Sequence, residues 1–436
     1  MNEHDGTNDD AAPRPGGEPP ATGPADGAVP AVGGDATPGT GGDATPGSSG
    51  EATPGTGGDA TPGSGGEATP GSSDEATPGT GGATKHRDRA AVRDWKDAVT
   101  PRSALLCVGV FLLMLAFALS YMGALHNPKP HRIDLAVAAP SQAAGPLLKQ
   151  LNGLPGEPVE ARTVADAATA RRQVTTRDAD GALLVTPAPT GGGTARLVVA
   201  SAAGPSMSQA LERVMKAVAP RAGLRLSVVD VKPLPSDDFE ELSSFYLVVA
   251  WSVGGYLVAS MLGVSAGTRP ANLRRAFIRL LAMAVYSIAA GVGGAIVVGP
   301  VLHALPASVG QLWWIGALLV FSAAAFTMAM QVLAGVIGIG IAIAVFVVLG
   351  NPSSGGVFPW PMLPTFWRAI GPWIGTGAAT QTVRNVSYFG SHHITTHLLV
   401  ICGYLVFGVL VALLVPGLKA RRPRRVGSPA HLAAEA

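Results

Sequence analysis

From Ala276 to Gly350 the chain carries one charged side chain, Arg279, in seventy-five residues. A soluble domain cannot sustain such a stretch, because its surface would hold nothing to keep it in water. A helix needs about twenty apolar residues to cross ~30 Å of hydrocarbon. Six segments meet or nearly meet that length, near 103–124, 245–264, 277–300, 312–332, 334–350 and 396–416. The fourth and fifth share one apolar run of 38 residues, Trp313 to Gly350, too long for one crossing and right for two. The polar amide of Gln331 and the glycine at 335 place the turn between them.

The overall charge of +2 hides a division. Residues 1–83 hold thirteen acidic residues and one basic residue, Arg14, a net of −12, so the remainder carries +14. Six octads of the type GGDATPGT fill 33–80. A period of eight excludes collagen, and almost nothing in the repeat is large and apolar enough to offset ordering entropy. Residues 1–84 therefore read as a disordered acidic tail, a spacer or a substrate for phosphorylation at its Thr-Pro pairs. Lys85 to Arg102 holds six Lys/Arg, with Ala91, Trp95, Ala98 and Val99 at helical spacing. It reads as a surface amphipathic helix or as a plain basic flank.

Lys/Arg placement sets orientation. The stretch before the first span is basic, loop 265–276 carries Arg269, Arg274 and Arg275, and the tail 417–436 carries Lys419, Arg421, Arg422, Arg424 and Arg425. With six spans all three fall on one side, the cytoplasm, in a multi-pass protein of the cell membrane. Phe245, Trp313, Trp314, Trp360, Trp367, Trp373 and Tyr388 crowd the opposite edge, where headgroup-level rings belong. No cleavable signal peptide is expected, since the first 83 residues are polar and the first apolar segment is long.

Residues 125–243 then lie outside the cytoplasm and read as a small α/β domain. Strands are expected at Ile133–Ala138, Val159–Val164, Ala182–Val185, Ala195–Ala200 and Leu224–Val231, with helices at Pro146–Leu151, Ala165–Val174 and Ser206–Val218. Both cysteines, Cys107 and Cys402, fall in apolar segments, so no disulfide framework is expected. The fold class is thus membrane all-α: six transmembrane helices, a small α/β domain between the first and second, and a disordered N-terminal tail.

The chain has no GxxxxGK[ST], no GxSxG and no HExxH, so it carries no recognisable ATPase, nucleophile elbow or zinc helix. No catalytic residue, cofactor or metal ligand is assigned, and the modest net charge does not suggest nucleic acid. The spans contain no Asp or Glu, which counts against proton coupling. Asp237, Asp238, Glu240 and Glu241 cluster before the second span and read as a solvated helix start or a carboxylate at the rim of a path. His392, His393 and His397 precede the last span, with His393 and His397 one helical turn apart. They read as a hydrated interfacial cluster or a partial metal set. Gly191–Gly193 precedes a strand and reads as a hairpin or linker. The most distinctive string is Asn351–Gly356, where Pro352 is expected to stop the fifth helix and two glycines to turn the chain. The aromatic, proline-broken stretch that follows is re-entrant structure or an aromatic belt loop within 351–395.

Three strings carry a family resemblance: Phe245–Trp251 opening the second span, Gly350–Gly356, and Pro359–Gly390 with Arg384 and Tyr388 near its end. With one span, an external α/β domain and five further spans, residues 89–416 resemble the permeases of type-2 ABC exporters. More narrowly, they resemble the branch related to the phage-infection-protein membrane proteins. The resemblance implies that Gly267–Ala276, with Arg269, Arg274 and Arg275, forms a coupling helix docking on a cytoplasmic P-loop ATPase. It also implies an outer gate at Asn351, Pro352, Ser353, Ser354, Gly355, Gly356, Trp367 and Trp373. Two copies would surround a path for an amphipathic or lipid-like compound, in contact with membrane lipids. The competing reading is a cell-envelope receptor or scaffold whose external domain binds a ligand.

Overall fold

The computed structural model of the chain describes residues 100–188 and 192–420. The acidic octads, the basic segment up to residue 99 and the arginines beyond 420 lie outside the described residues.

Five helices are long and apolar enough to cross a membrane, as a multi-pass membrane protein requires. Helix α1 runs Pro101–Leu125, opened by Thr100, whose hydroxyl accepts from the Ser103 amide at 3.2 Å, and by Pro101 in the first turn. Later in the chain come α5 (Ser243–Ala266), α6 (Leu273–Ile296, prolonged by a widened turn to Val301), α7 (Val309–Ala334) and α11 (Ile394–Ala420). Ser308 and Gln311 form a capping box that starts α7. α7 is the central helix, packed by α5, α6 and α11. Gly291 lets α6 lie directly on the α7 backbone between Trp313 and Ala317, where a methyl group has no room.

The fifth expected span differs. α7 ends at Ala334, Gly335 turns the chain at φ +65°, and α8 (Ile337–Ser353) is apolar but short for a crossing. Pro352 does not stop this helix, contrary to expectation; it sits inside the last turn, Gly350–Ser353. The π-type widening over Ala344–Leu349, just before it, relaxes the ladder into which a proline ring would otherwise clash. The turn comes later, at Gly355, φ +74°.

Between α1 and α5 lies a five-stranded sheet in the order β2-β1-β3-β4-β5. Its strands are β1 (Ile133–Ala138), β2 (Val159–Thr163), β3 (Gly181–Pro187), β4 (Gly193–Val199) and β5 (Leu224–Asp230). β1 pairs in parallel with β2 and β3, β3 and β4 form an antiparallel hairpin around Gly192, and β5 runs parallel to β4. The crossovers are α2 (Ser141–Asn152), α3 (Ala167–Thr176) and α4 (Pro205–Val218). α3 is capped by Asp166, whose carboxylate accepts from the Thr169 amide at 2.7 Å. α4 buries Met207, Ala210, Leu211, Met215 and Val218 along one stripe. β1 is buried on both faces, as a central parallel strand must be.

The sheet rests on the bundle end that carries residues 351–393. After α1 the chain pairs with that segment through Lys129 N–Met362 O (3.2 Å) and His131 N–Pro361 O (2.9 Å). One hydrophobic core runs from β1 and β3 through Met362 and Val383 to Leu247, Trp251 and Leu312. The described sheet is therefore packed on the helices rather than hung from them.

Candidate functional site

The segment after α8 folds into two short turns, a short helix α9 (Thr365–Ile370), and α10 (Gly375–Tyr388). α10 is GTGAATQTVRNVSY, a sequence with no apolar stripe, yet thirteen of its fourteen residues are buried. Its small residues permit this: a Cβ at Gly377 would run into the Gly371 carbonyl. Thr380 and Thr382 return their hydroxyls to the carbonyls of Thr376 and Ala378, both at 2.8 Å. Gln381, Arg384, Asn385 and Tyr388 share one face by helical spacing, and the charged chemistry gathers there.

Arg384 is wholly buried and meets the equally buried Glu241, which lies two residues before α5. Its Nε donates to Glu241 Oε2 at 2.6 Å and Nη2 donates to the same oxygen. The remaining donors reach backbone: Nη1 to Gly355 O at 3.0 Å and Nη2 to Gly356 O at 3.4 Å. The guanidinium is thereby saturated, as a buried charge requires because its desolvation is expensive, whereas Glu241 Oε1 is buried with no hydrogen-bond partner among the described residues. Burial pushes the Glu241 carboxyl above its usual range, against the pull of Arg384.

A second arginine arrives from the sheet. Arg177 follows α3 in left-handed backbone, φ +65°. Its Nη1 donates to Gln381 Oε1 at 3.0 Å and to Asn385 Oδ1 at 2.7 Å, and its guanidinium lies 5.2 Å from the Phe389 ring centroid. The neutral Gln381 oxygen therefore stands between two guanidinium groups, Arg384 Nη1 lying 3.5 Å from it. Burial first, and Arg384 second, lower Arg177 to about 10. Asp180, half-buried beside it, is pushed upward by burial. Strain concentrates here: of seven non-glycine residues in left-handed backbone among the described residues, Arg132, Arg177, Glu241 and His393 each send a charged or ionisable side chain into this junction or its rim.

A cavity of about 450 Å³ opens between sheet and bundle, lined by Arg132, Arg177, Asp180, Arg368, Arg384 and the Pro359–Pro361 turn, among others. A second, of about 320 Å³, adjoins it through His131 and Arg368 and is lined by Lys129 and apolar Met362, Leu363 and Pro364.

Several expectations change. Asn351, Pro352, Ser353, Ser354, Gly355 and Gly356 are buried together, with Asn351 Nδ2 donating to the Tyr121 hydroxyl at 2.9 Å and Trp360 Nε1 to Ser353 O at 2.9 Å. Trp367 packs near Gly123 of α1, but Trp373 is 69% exposed and joins neither. The acidic cluster is divided: Asp237 and Glu240 are exposed, Asp238 caps α5 through the Leu242 and Ser243 amides, and Glu241 is the buried partner of Arg384. Phe245 and Tyr388 point inward rather than to a headgroup belt. His393 precedes α11 and bonds Asp178 Oδ1 at 3.0 Å, so it shares no helical face with His397. The basic loop forms no helix of its own: Asn272 caps α6 directly, which places Arg274 and Arg275, both exposed, in its first turn. Arg269 is occupied, its Nε donating to Val332 O at 3.1 Å and Nη2 to Leu333 O at 3.3 Å at the end of α7.

Sequence reasoning missed Arg177, Gln381 and Asn385. The available signal for Arg384 was its isolation as one of only two Lys/Arg between 351 and 395. No protein-family model, curated protein or solved structure matches the chain.

Proposed function

We propose that the chain is the membrane subunit of a type-2-like ABC exporter, working with a separate P-loop ATPase as a homodimer in the cell membrane. In this reading α8 is the sixth membrane segment, the sheet domain is extracytoplasmic, and both termini are cytoplasmic. The chain itself performs no ATP chemistry. The observation that supports the reading is the position of α5. Its N-terminal end is capped by Asp238 and fastened to the sheet-facing site through Glu241–Arg384. At the other it runs into the 267–272 loop, which Arg269 hooks onto α7. Its 24 residues form a rod of about 36 Å, so a push on the loop is delivered to the ion pair and the cavities beside it.

The exposed Arg274 and Arg275 are the docking charges in this scheme. Replacing both with Glu should abolish co-purification of a P-loop ATPase from mild detergent, with the folded protein still recovered. Undiminished association would overturn the coupling role. The receptor alternative draws on the cavity at the sheet. It is weakened by the continuous core, since a severable binding domain has no need to share its interior with five helices.

A further inference from the structure

The two adjoining cavities carry an imbalance of charge that the buried ion pair does not absorb. Arg132 is bidentate to Glu160 (2.9 and 3.1 Å), Arg384 is held by Glu241, and Arg177 faces Asp180. Lys129 and Arg368 line the cavities with no ion-pair partner among the described residues. Arg368 is the more informative, because it is half-buried and borders both cavities. A guanidinium so placed calls for an acceptor. The second cavity adds an apolar wall, Met362, Leu363 and Pro364, and its cation Lys129 stands four residues beyond the end of α1. Only 6% of the apolar window of α1 is buried, so its flank is open to lipid, and its end marks headgroup level. Exposed Phe366 (57%) lies on the same segment, as an interfacial ring does.

We propose that these joined cavities bind an anionic amphiphile: a phosphate-type headgroup on Arg368, Lys129 and His131, with the adjoining chain against Met362, Leu363 and Pro364. Membrane lipid is the source, because the apolar wall and the cations sit at the mouth nearest α1. As the class of transported compound this rests on the exporter reading; as a binding site it does not.

The test uses the full chain in phosphatidylcholine nanodiscs. Dihexanoyl phosphatidylglycerol, kept below its micelle concentration, is titrated in by calorimetry beside dihexanoyl phosphatidylcholine, glycerol phosphate and inorganic phosphate. The anionic lipid should bind at least about tenfold tighter than the zwitterionic one, and Arg368→Gln should remove about tenfold. Lys129→Gln should weaken binding less, and Arg368→Lys should retain most of it. Equal binding of the two lipids overturns the proposal. So does an Arg368→Lys variant as weak as Arg368→Gln, since shape and not charge would then be at work. Glycerol phosphate binding as tightly as the anionic lipid would overturn the amphiphile assignment in favour of a soluble phosphate. No ATPase takes part, so the absence of an ATPase partner leaves this result unchanged.

Discussion

Helices α1 and α10 reverse the rule that governs soluble proteins. α1 is almost wholly apolar, and its side chains are mostly exposed, with 6% of its apolar window buried. α10 carries Thr, Gln, Arg and Asn, and is buried at thirteen of fourteen positions. In water both arrangements would be unstable. They are reasonable where the surroundings of α1 are hydrocarbon and the long polar side chains of α10, Gln381, Arg384 and Asn385, find protein partners, leaving the Thr376, Ser387 and Tyr388 hydroxyls buried without one among the described residues. α7 lies between the extremes, as apolar as α1 in kind but 67% buried over its window, because it packs against three other helices. Hydropathy thus identifies what can enter a membrane, whereas burial identifies what the membrane domain is built around.

The strongest test of this contrast is to break the dry ion pair. Arg384→Met strands a buried carboxylate, and Glu241→Gln strands a buried guanidinium. Each should destabilise by about 3–5 kcal/mol, read as a lower melting temperature in detergent. Glu241→Gln combined with Arg384→Met should recover a large part of the loss, since a neutral pair needs no compensation. If the single variants melt with the parent, α10 is hydrated and the contrast with α1 fails.

A matched pair of glycines sharpens the same contrast. Gly377 of α10 faces the Gly371 carbonyl and has no space for a methyl group, whereas Gly109 of α1 has nothing within 4 Å. Gly377→Ala should cost about 1–3 kcal/mol through overpacking. Gly109→Leu, a much larger change, should leave the melting temperature and the monodispersity of the detergent-solubilised protein unchanged. A large loss from Gly109→Leu would mean that α1 is covered in the working assembly, and would locate the surface that meets a second copy.

The long apolar helices were legible because each satisfies a length rule that no alternative fold satisfies. Most strands of the sheet were legible within two residues, β1 at both ends, because short apolar runs were bounded by Gly, Pro and polar turns. α10 was not. Thr376, Gln381 and Asn385 carry no periodic apolar signal, and their burial is imposed by partners far away in sequence. Glu241 and Arg384 are 143 residues apart, and Arg177 meets Asn385 across 208. Neither pairing has a local signature, so Glu241 read as one more member of a solvated cluster. The proline error has a similar origin: Pro352 is a helix stop by local rule, but the widened turn at Ala344–Leu349 gives it room.

The smallest expected effect concerns Asp180, which borders the cavity on the sheet side. Burial raises its carboxyl above the usual range, more than Arg177 lowers it. A group of this kind holds its proton more tightly in the folded state than in the unfolded chain. Between the ordinary carboxylate value and the raised one, the folded state therefore binds more protons, and stability falls as pH rises through that window. Asp178, Glu160 and Asp166, whose carboxyls are lowered by hydrogen bonds or charge, act in the opposite sense. They are common to parent and variant and cancel in a difference measurement. The melting temperature of the parent minus that of Asp180→Asn should accordingly rise as pH is lowered from neutral into the window, and level off once the unfolded chain also takes up the proton. A difference that stays flat would mean that the cavity is wet enough to solvate the carboxylate. That would place the junction of sheet and bundle on the hydrated side, with only the Glu241–Arg384 pair left dry.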